Sequence, residues 1–301
     1  MLGNAGGAAL DSSQWVPPQK TRWARMRDIS RRHPLGVISF VLLVVMSILA
    51  LLAPVVSHGL DPVKINGLAA LQPPSGEHLL GTDEFGRDIF TRILYGGRVS
   101  QWVGLISVTL SISIGLPLGL ISGYAGGRVD LVLQRIVDAM FAFPTIILAM
   151  AVISVLGPGI VPVTIAVGIV GVPRMARVAR AATLNVMAQP YLEASLSTGA
   201  AAPRVLLRHI APNIMAPVIV LATAGFGVAI LAEASLSFLG LGVVPPQPSW
   251  GTMLSGGAQQ YIRVAPWMAV APGIAISISV FAFNLLGDSL RDILDPRLRG
   301  V

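Results

Sequence analysis

The chain contains no cysteine, only two lysines and little charge of either sign, since Asp, Glu, Lys and Arg make up 12% of its 301 residues. The lack of cysteine excludes disulfides, thiol catalysis and thiolate metal sites. The four histidines, at positions 33, 58, 78 and 209, are too scattered to indicate a ligand cluster. A hydrophobic share of 54% with so little charge indicates a membrane protein.

The scarcity of lysine also excludes the common ATP-binding loop. A Walker A loop requires Gly-Lys-Ser/Thr, and neither Lys20 nor Lys64 follows a glycine. A proton relay would need ionisable side chains deep within the membrane. Asp138, Glu233 and Asp288 lie near the ends of the apolar runs, and we expect them to be interface or capping groups. The sequence therefore predicts neither an ATPase site nor a proton relay.

The apolar runs are long enough for six transmembrane helices. The run at 139–173 is too long for one helix and contains Gly157-Pro158-Gly159, so we divide it there. The first run is longer than the core of a signal peptide and lacks a convincing cleavage site, so we expect it to be retained. The predicted helices occupy residues 35–57, 99–127, 131–157, 160 to about 174, 210–232 and 264–287.

The basic residues indicate the orientation of these helices. With both termini cytosolic, 16 of the 21 Lys and Arg fall on cytosolic segments and 5 fall outside, as the positive-inside rule requires. Arg174, Arg177 and Arg180 follow the fourth run, where we expect long side chains to reach the lipid headgroups. The net charge of +7 is explained by topology, and no nucleic-acid partner is expected.

The segment before the second run is dense in charge. We expect an ion-pair cluster on the outer rim here, with tight turns at Gly81 and Gly86. An acidic metal site is the alternative that the residues leave open. The charged residues concerned are Asp83, Glu84, Arg87 and Asp88.

Residues 189–213 are polar enough to lie outside the membrane between two apolar runs. Pro190 suits the first position of a helix, and Gly199 can end that helix with a positive φ or let another backbone approach closely. No Lys or Arg occurs between 190 and 202, which argues against a helix lying on lipid. The residues that fall on one face of the predicted helix are Leu192, Ser195, Leu196 and Gly199.

This stretch resembles the EAA loop of ABC importer permeases, the coupling helix that docks into a groove of the ATPase subunit. It departs from the usual pattern at Ser195, commonly alanine, and at Ala211, commonly leucine. The alternative is an ordinary linker between two spans. Four further segments, at 78–100, 138–144, 232–251 and 284–300, resemble the dipeptide, oligopeptide and nickel permeases. The residues that carry the resemblance to the coupling helix are Glu193, Ala194, Ser195, Gly199 and Pro212.

The resemblance implies an all-α membrane protein with six transmembrane helices and the type I ABC importer permease fold. It implies a cytosolic basic tail at 1–34, a first transmembrane helix and outer segment at 35–98, a five-helix domain at 99–288, and a cytosolic tail at 289–301. The coupling helix lies at about 190–202.

The expected function is that of a permease subunit in the cytoplasmic (inner) membrane of a prokaryote, forming half of a pathway for di- and oligopeptides. The expected partners are a homologous permease, two ATPase subunits or domains, an extracytoplasmic binding protein and the lipid bilayer. The chain itself needs no cofactor, because ATP and Mg²⁺ bind to the ATPases. Import of nickel, glutathione or another small solute is an alternative within the family. An ion-coupled secondary transporter and a structural membrane scaffold are alternatives outside it.

Overall fold

The computed structural model describes residues 31–255 and 257–294, without the side chains of residues 193 and 196. The predictions for the basic residues before 31 and for the tail after 294 lie outside this range. Regular structure in the described range is helical, apart from one isolated bridge between Thr82 and Asp88. The all-α prediction is therefore confirmed.

Nine helices organise the described residues. One-turn segments at Ala53–Val56, Gly67–Ala69 and Gly257–Gln260 lie between them. The helices are α1 Pro34–Leu51, α2 Ile89–Ala125, α3 Gly127–Phe141, α4 Thr145–Leu156, α5 Ile160–Met187, α6 Pro190–Ser197, α7 Ala202–Phe238, α8 Trp250–Leu254 and α9 Trp267–Leu294.

Within the described residues, α1, α2, α5, α7 and α9 are each long and apolar enough to cross a membrane. A sixth span exists only if α3 and α4 are counted together, and these two helices are bent by 92°. The continuous third helix predicted at 131–157 is therefore wrong. Pro144 explains the break, because proline disfavours helical geometry in the residue before it. α4 alone has 12 residues and is only about 18 Å long.

The second span begins at Ile89, well before the predicted residue 99. Asp88 starts the helix, because its Oδ1 accepts a hydrogen bond from the Thr91 backbone N–H at 2.7 Å. Arg92 lies inside the helix and is buried, with Nη1 donating to the Pro62 carbonyl oxygen at 2.7 Å. The prediction placed the start of the helix after the charged residues. The structure instead places Arg92 within the helix, because the Pro62 carbonyl oxygen accepts a hydrogen bond from its guanidinium.

Small residues recur every fourth position where α2 packs on α5. The Ser107 hydroxyl donates to the Thr164 carbonyl oxygen at 2.9 Å. At Gly119, an added Cβ would lie 2.4 Å from the Ala176 carbonyl oxygen, so the two backbones nearly touch. Such small-residue faces allow membrane helices to approach closely. The residues concerned on α2 are Ser107, Ser111, Gly115, Gly119 and Gly123.

The outer segment before α2 forms the expected ion-pair cluster. Arg87 Nε lies 2.6 Å from Asp83 Oδ2, and His78 Nδ1 lies 3.0 Å from Asp88 Oδ2. Glu84 lies beside them without a direct ion pair in the described part of the chain. The tight turns are also confirmed, since Gly81 has a φ of 76° and Gly86 a φ of 69°.

Glu233 is fully buried within the helix bundle, so its prediction as an interface or capping group is wrong. Its carboxylate oxygens accept hydrogen bonds from the Ser100 hydroxyl at 2.8 Å and the Ser237 hydroxyl at 2.7 Å. Asp138 and Asp288 are exposed, as an interface position requires. Glu233 thus joins α2 to α7 in the interior.

Candidate functional site

The polar stretch between α5 and α7 folds as predicted into a short helix. α6 begins at Pro190, as expected for a residue whose missing N–H costs nothing in the first turn. The Leu192 backbone N–H donates to the Gln189 carbonyl oxygen at 3.0 Å. The helix ends at Ser197, after only eight residues. A helix this short is marginal in isolation, so its stability must come from contacts with the rest of the chain.

Leu192 supplies the main contact between α6 and the helix bundle. Its side chain is 0% exposed. Burying a leucine side chain contributes about 1.5–3 kcal/mol, which is large for an eight-residue helix. It belongs to a core cluster whose other buried residues come from α2, α5 and α7, and α6 itself contacts α5 and the π-helical part of α7. The buried residues around it are Leu120, Ala179, Val205, Ile210 and Ile214.

The opposite side of α6 faces away from the bundle. Tyr191, Ala194 and Ser197 are exposed, and Ser195 is half-buried. The predicted common face therefore holds for Leu192 and Ser195, whereas Gly199 lies exposed beyond the end of the helix. The result is an exposed ridge, formed by the small side chains of Ala194 and Ser197 beside the ring of Tyr191.

Gly199 ends the helix with a φ of 78°, which confirms the predicted positive φ. The Ala200 N–H donates to the Ser195 carbonyl oxygen at 3.3 Å, the long bond of a Schellman motif. The Thr198 hydroxyl donates to the same carbonyl oxygen at 2.8 Å. An added Cβ at Gly199 would meet nothing within 4 Å in the part of the chain that the structure describes. Within the chain, only the backbone conformation therefore demands glycine.

Pro212 lies where the return helix α7 changes its hydrogen-bonding pattern. The segment Val205–Ile210 is a π-helix, and the α-helical part of α7 begins at Ala211. Proline donates no hydrogen bond, and its ring crowds the carbonyl four residues earlier, here that of Arg208. The wider π turn accommodates both effects, and such turns often occur at functional sites.

Asn213 connects this turn to α6, a role that the sequence analysis missed. Its Nδ2 donates to the His209 carbonyl oxygen at 2.6 Å and to the Tyr191 hydroxyl at 3.2 Å. The sequence does contain a signal for this role, since Asn213 is a polar residue directly after Pro212, at the start of an apolar run. The five predicted site residues thus lie on one connected unit, formed by α6, its glycine end and the π turn.

The exposed groups of this unit suit docking rather than catalysis. Arg204 and Arg208 are exposed on the π-turn side. No group of three or more His, Cys, Asp or Glu side chains that could hold a metal occurs in the described residues. The arrangement therefore offers a rigid, small-residue ridge beside two cations.

Comparison with known proteins identifies the class. Residues 115–300 match the family described as binding-protein-dependent transport system inner membrane component, and residues 21–74 match the N-terminal TM domain of oligopeptide transport permease C. The inward-facing methionine ABC transporter MetNI has a similar fold, with a TM-score of 0.56 and 20% identity over 69% of this chain and 98% of that chain. The chain belongs to the binding-protein-dependent permease family and is a multi-pass membrane protein.

Similar proteins are named for peptide-type substrates. The dipeptide transport system permease protein DppC of Alkalihalophilus pseudofirmus is 42% identical over 92% of this chain and 90% of its own length. The di/tripeptide permease DppC of Pseudomonas aeruginosa is 44% identical over 97% of this chain and 96% of its own length. The glutathione permease GsiD of Escherichia coli is 42% identical over 97% of both chains.

Proposed function

We propose that this chain is one of two permease subunits of an ATP-driven importer of small peptides. The proposal for the substrate is supported by the dipeptide and di/tripeptide names of relatives that cover more than nine-tenths of the chain. The observation that carries the coupling role is the geometry of α6. A short helix held by one fully buried leucine presents an exposed ridge and ends at a left-handed glycine.

The coupling residues are Glu193, Ala194, Ser195, Gly199 and Pro212, acting as docking and shaping groups. Ala194 lies on the exposed ridge, while Ser195 closes the helix end through its carbonyl oxygen. Because α6 contacts α5 and the π-helical part of α7, a displacement of α6 by an ATPase would be passed directly to helices that span the membrane. ATP-driven closure of the ATPases would thereby reorient the pathway from inward-open to outward-open.

Energy and specificity would come from partners. ATP and Mg²⁺ would bind to two ATPase subunits or domains, since neither lysine of this chain lies in a Walker A loop. A binding protein outside the membrane would deliver the substrate, and a homologous permease would form the other half of the pathway. The clustering of 16 of the 21 Lys and Arg on one side supports cytosolic termini and a cytosolic α6.

Glutathione import is a second candidate, supported by the 42% identity with the glutathione permease of Escherichia coli. The two candidates differ in a measurable way. In cells that lack their own peptide and glutathione importers, the operon carrying this permease should restore uptake of dipeptides more than uptake of glutathione. The reverse preference would favour the second candidate.

Two measurements test the proposal: the side of the membrane on which α6 lies, and the activity of the chain without its partner proteins. Because the chain has no native cysteine, Ser197→Cys introduces a single labelling position. An impermeant thiol reagent should label it in inside-out vesicles and not in intact cells. The purified chain should show no ATPase activity, and it should show no uptake in liposomes until the second permease, the ATPase subunits and the binding protein are added. Labelling from outside, or ion-driven uptake by the chain alone, would contradict the proposal.

A further inference from the structure

A cavity of about 190 Å³ lies between α2, α4, α5 and α7. Most of its wall is apolar, with residues such as Val167, Ala149 and Val228. Arg174 is the only charged residue among the described residues that line this wall, and it is exposed. The cavity therefore combines an apolar surface with one cation.

Arg174 differs from the two arginines that follow it on α5. Arg177 Nη2 lies 2.7 Å from Asp138 Oδ1, and Arg180 Nη2 lies 2.5 Å from Asp130 Oδ2. Arg174 has no ion pair or hydrogen bond with any described residue. It lies about 20 Å along α5 from the first residue of that helix, at a rise of 1.5 Å per residue. Like Arg177 and Arg180, it belongs to the predicted cytosolic end of this span, so the inner end of the cavity holds a cation without a partner among the described residues.

The other polar groups of the wall do not compete with Arg174 as donors. The Ser107 hydroxyl donates to the Thr164 carbonyl oxygen, and the Ser111 hydroxyl donates to the Gly168 carbonyl oxygen at 2.7 Å. Both hydroxyl protons are thus engaged. Thr145 is exposed and forms no hydrogen bond with the described residues. Donors for an anion are consequently concentrated at Arg174 and Thr145, and none of the described residues that line the cavity is acidic.

We propose that this cavity is a subsite of the translocation pathway in which Arg174 binds the C-terminal carboxylate of a small peptide in transit. The inference rests on the proposed function, which supplies the peptide. Along α5, Val167 and Arg174 are about 10 Å apart, and two extended residues span about 7 Å. Apolar walls accept varied side chains, while one cation recognises the carboxylate that free peptides share. Ionisable residues that face a membrane cavity typically mark substrate pathways.

The first test compares two substrates in the complete transporter, reconstituted with its ATPases and binding protein. Uptake of a dipeptide with a free carboxylate is divided by uptake of its C-terminal amide, and this ratio is compared between permease variants. The binding protein is the same in every sample, so its own preference cancels. Arg174→Gln should lower the ratio roughly tenfold, as expected for loss of a charge-assisted contact, and Arg174→Lys should restore part of it. Arg128→Gln, an exposed arginine outside the cavity, should leave the ratio unchanged.

The second test needs neither a transported amide nor ATP. Thr145→Cys places one thiol in the cavity of a chain without native cysteine. In the complete transporter, the rate of reaction with a negatively charged methanethiosulfonate is divided by the rate with a positively charged one. This ratio should be roughly tenfold higher when Arg174 is present than in the Arg174→Gln background. The label is read as a mass shift of this chain.

The outcomes separate the alternatives. A thiol that reacts only after anionic lipids are removed would show that Arg174 holds a lipid headgroup, and a thiol that never reacts in the complete transporter would show that a partner covers it. Either result would overturn the proposal, as would an unchanged uptake ratio in Arg174→Gln. If the wild type imports no peptide, the proposed function fails. The labelling ratio would still report separately whether Arg174 attracts anions.

Discussion

The carboxylate of Asp130 accepts two hydrogen bonds from the guanidinium of Arg180, at 2.6 Å from Nε and 2.5 Å from Nη2. This two-pronged contact joins the first turn of α3 to the inner part of α5. The Ser122 hydroxyl at the end of α2 also donates to Asp130. The Asp130 carboxylate on α3 therefore forms hydrogen bonds with both α2 and α5.

Replacing Asp130 with asparagine should reduce stability more than the same change at Asp138. The Asp130 side chain is 19% exposed and takes a paired contact, whereas Asp138 is 49% exposed and takes a single one. We expect losses of about 1 kcal/mol and below about 0.5 kcal/mol respectively. Thermal unfolding of the two variants in nanodiscs measures the difference. Equal shifts in Tm would show that the paired geometry contributes nothing.

Gly119→Ala should loosen the packing of α2 on α5. The new Cβ would lie 2.4 Å from the Ala176 carbonyl oxygen, which is backbone and cannot rotate away. We expect a cost of about 1–3 kcal/mol, visible as a lower unfolding temperature. Gly273→Ala is the matched control, because this glycine lies within α9 with nothing within 4 Å of its added Cβ. The control should be neutral or slightly stabilising, and an equal loss in both variants would disprove the close approach.

Glu233→Leu should destabilise the packing of α2 against α7. It would leave the hydroxyls of Ser100 and Ser237 without their acceptor in a fully buried position. Each unsatisfied buried group costs about 1–3 kcal/mol. Glu233→Gln keeps one acceptor oxygen and should be milder, and Asp288→Asn, at an exposed position, should have little effect. Unfolding curves rank the three variants.

Uptake by the same Glu233→Gln variant separates ATP-driven from ion-driven transport. An amide cannot carry a proton, so an ion-coupled transporter that relies on Glu233 would stop. We expect the folded variant to continue ATP-dependent uptake. Complete loss of uptake with normal assembly and normal ATP turnover would give Glu233 a direct role in transport.

Gly199 tests the coupling role of α6. Forcing a non-glycine residue into its left-handed conformation costs about 1–2 kcal/mol, so Gly199→Leu should reduce ATPase association and uptake sharply while insertion and pairing with the second permease persist. Gly199→Asn should be milder, since asparagine tolerates this conformation. Ser197→Ala should be nearly silent. Co-purification of the ATPase subunits measures association directly.

Gly126 provides the control for backbone strain. It has a φ of 61° and also has nothing within 4 Å of an added Cβ, but it lies between α2 and α3. Its ψ of −162° lies in a region that only glycine adopts readily, so Gly126→Leu should carry at least as much strain as Gly199→Leu without affecting ATPase association. If both leucine variants retain the ATPase subunits at wild-type yield, the stretch is an ordinary linker and not a coupling helix.

Local sequence determined several features of this protein, because each depends on neighbouring residues alone. Long uncharged runs predicted membrane helices, since any other backbone would leave polar groups unsatisfied in lipid. Pro190 and Gly199 predicted the two ends of α6 from their own backbone preferences. The motif around Glu193 predicted the family from the sequence alone.

The tertiary structure alone decided which polar residues are buried and which remain available. Arg92 and Glu233 lie inside the bundle because their partners come from distant parts of the chain, and no local pattern reveals those partners. Arg174, Arg177 and Arg180 look equivalent in the sequence, at a regular spacing of three. The packing of α3 against α5 gives an acidic partner to the last two and leaves Arg174 facing the cavity, because ion pairing depends on distances between helices.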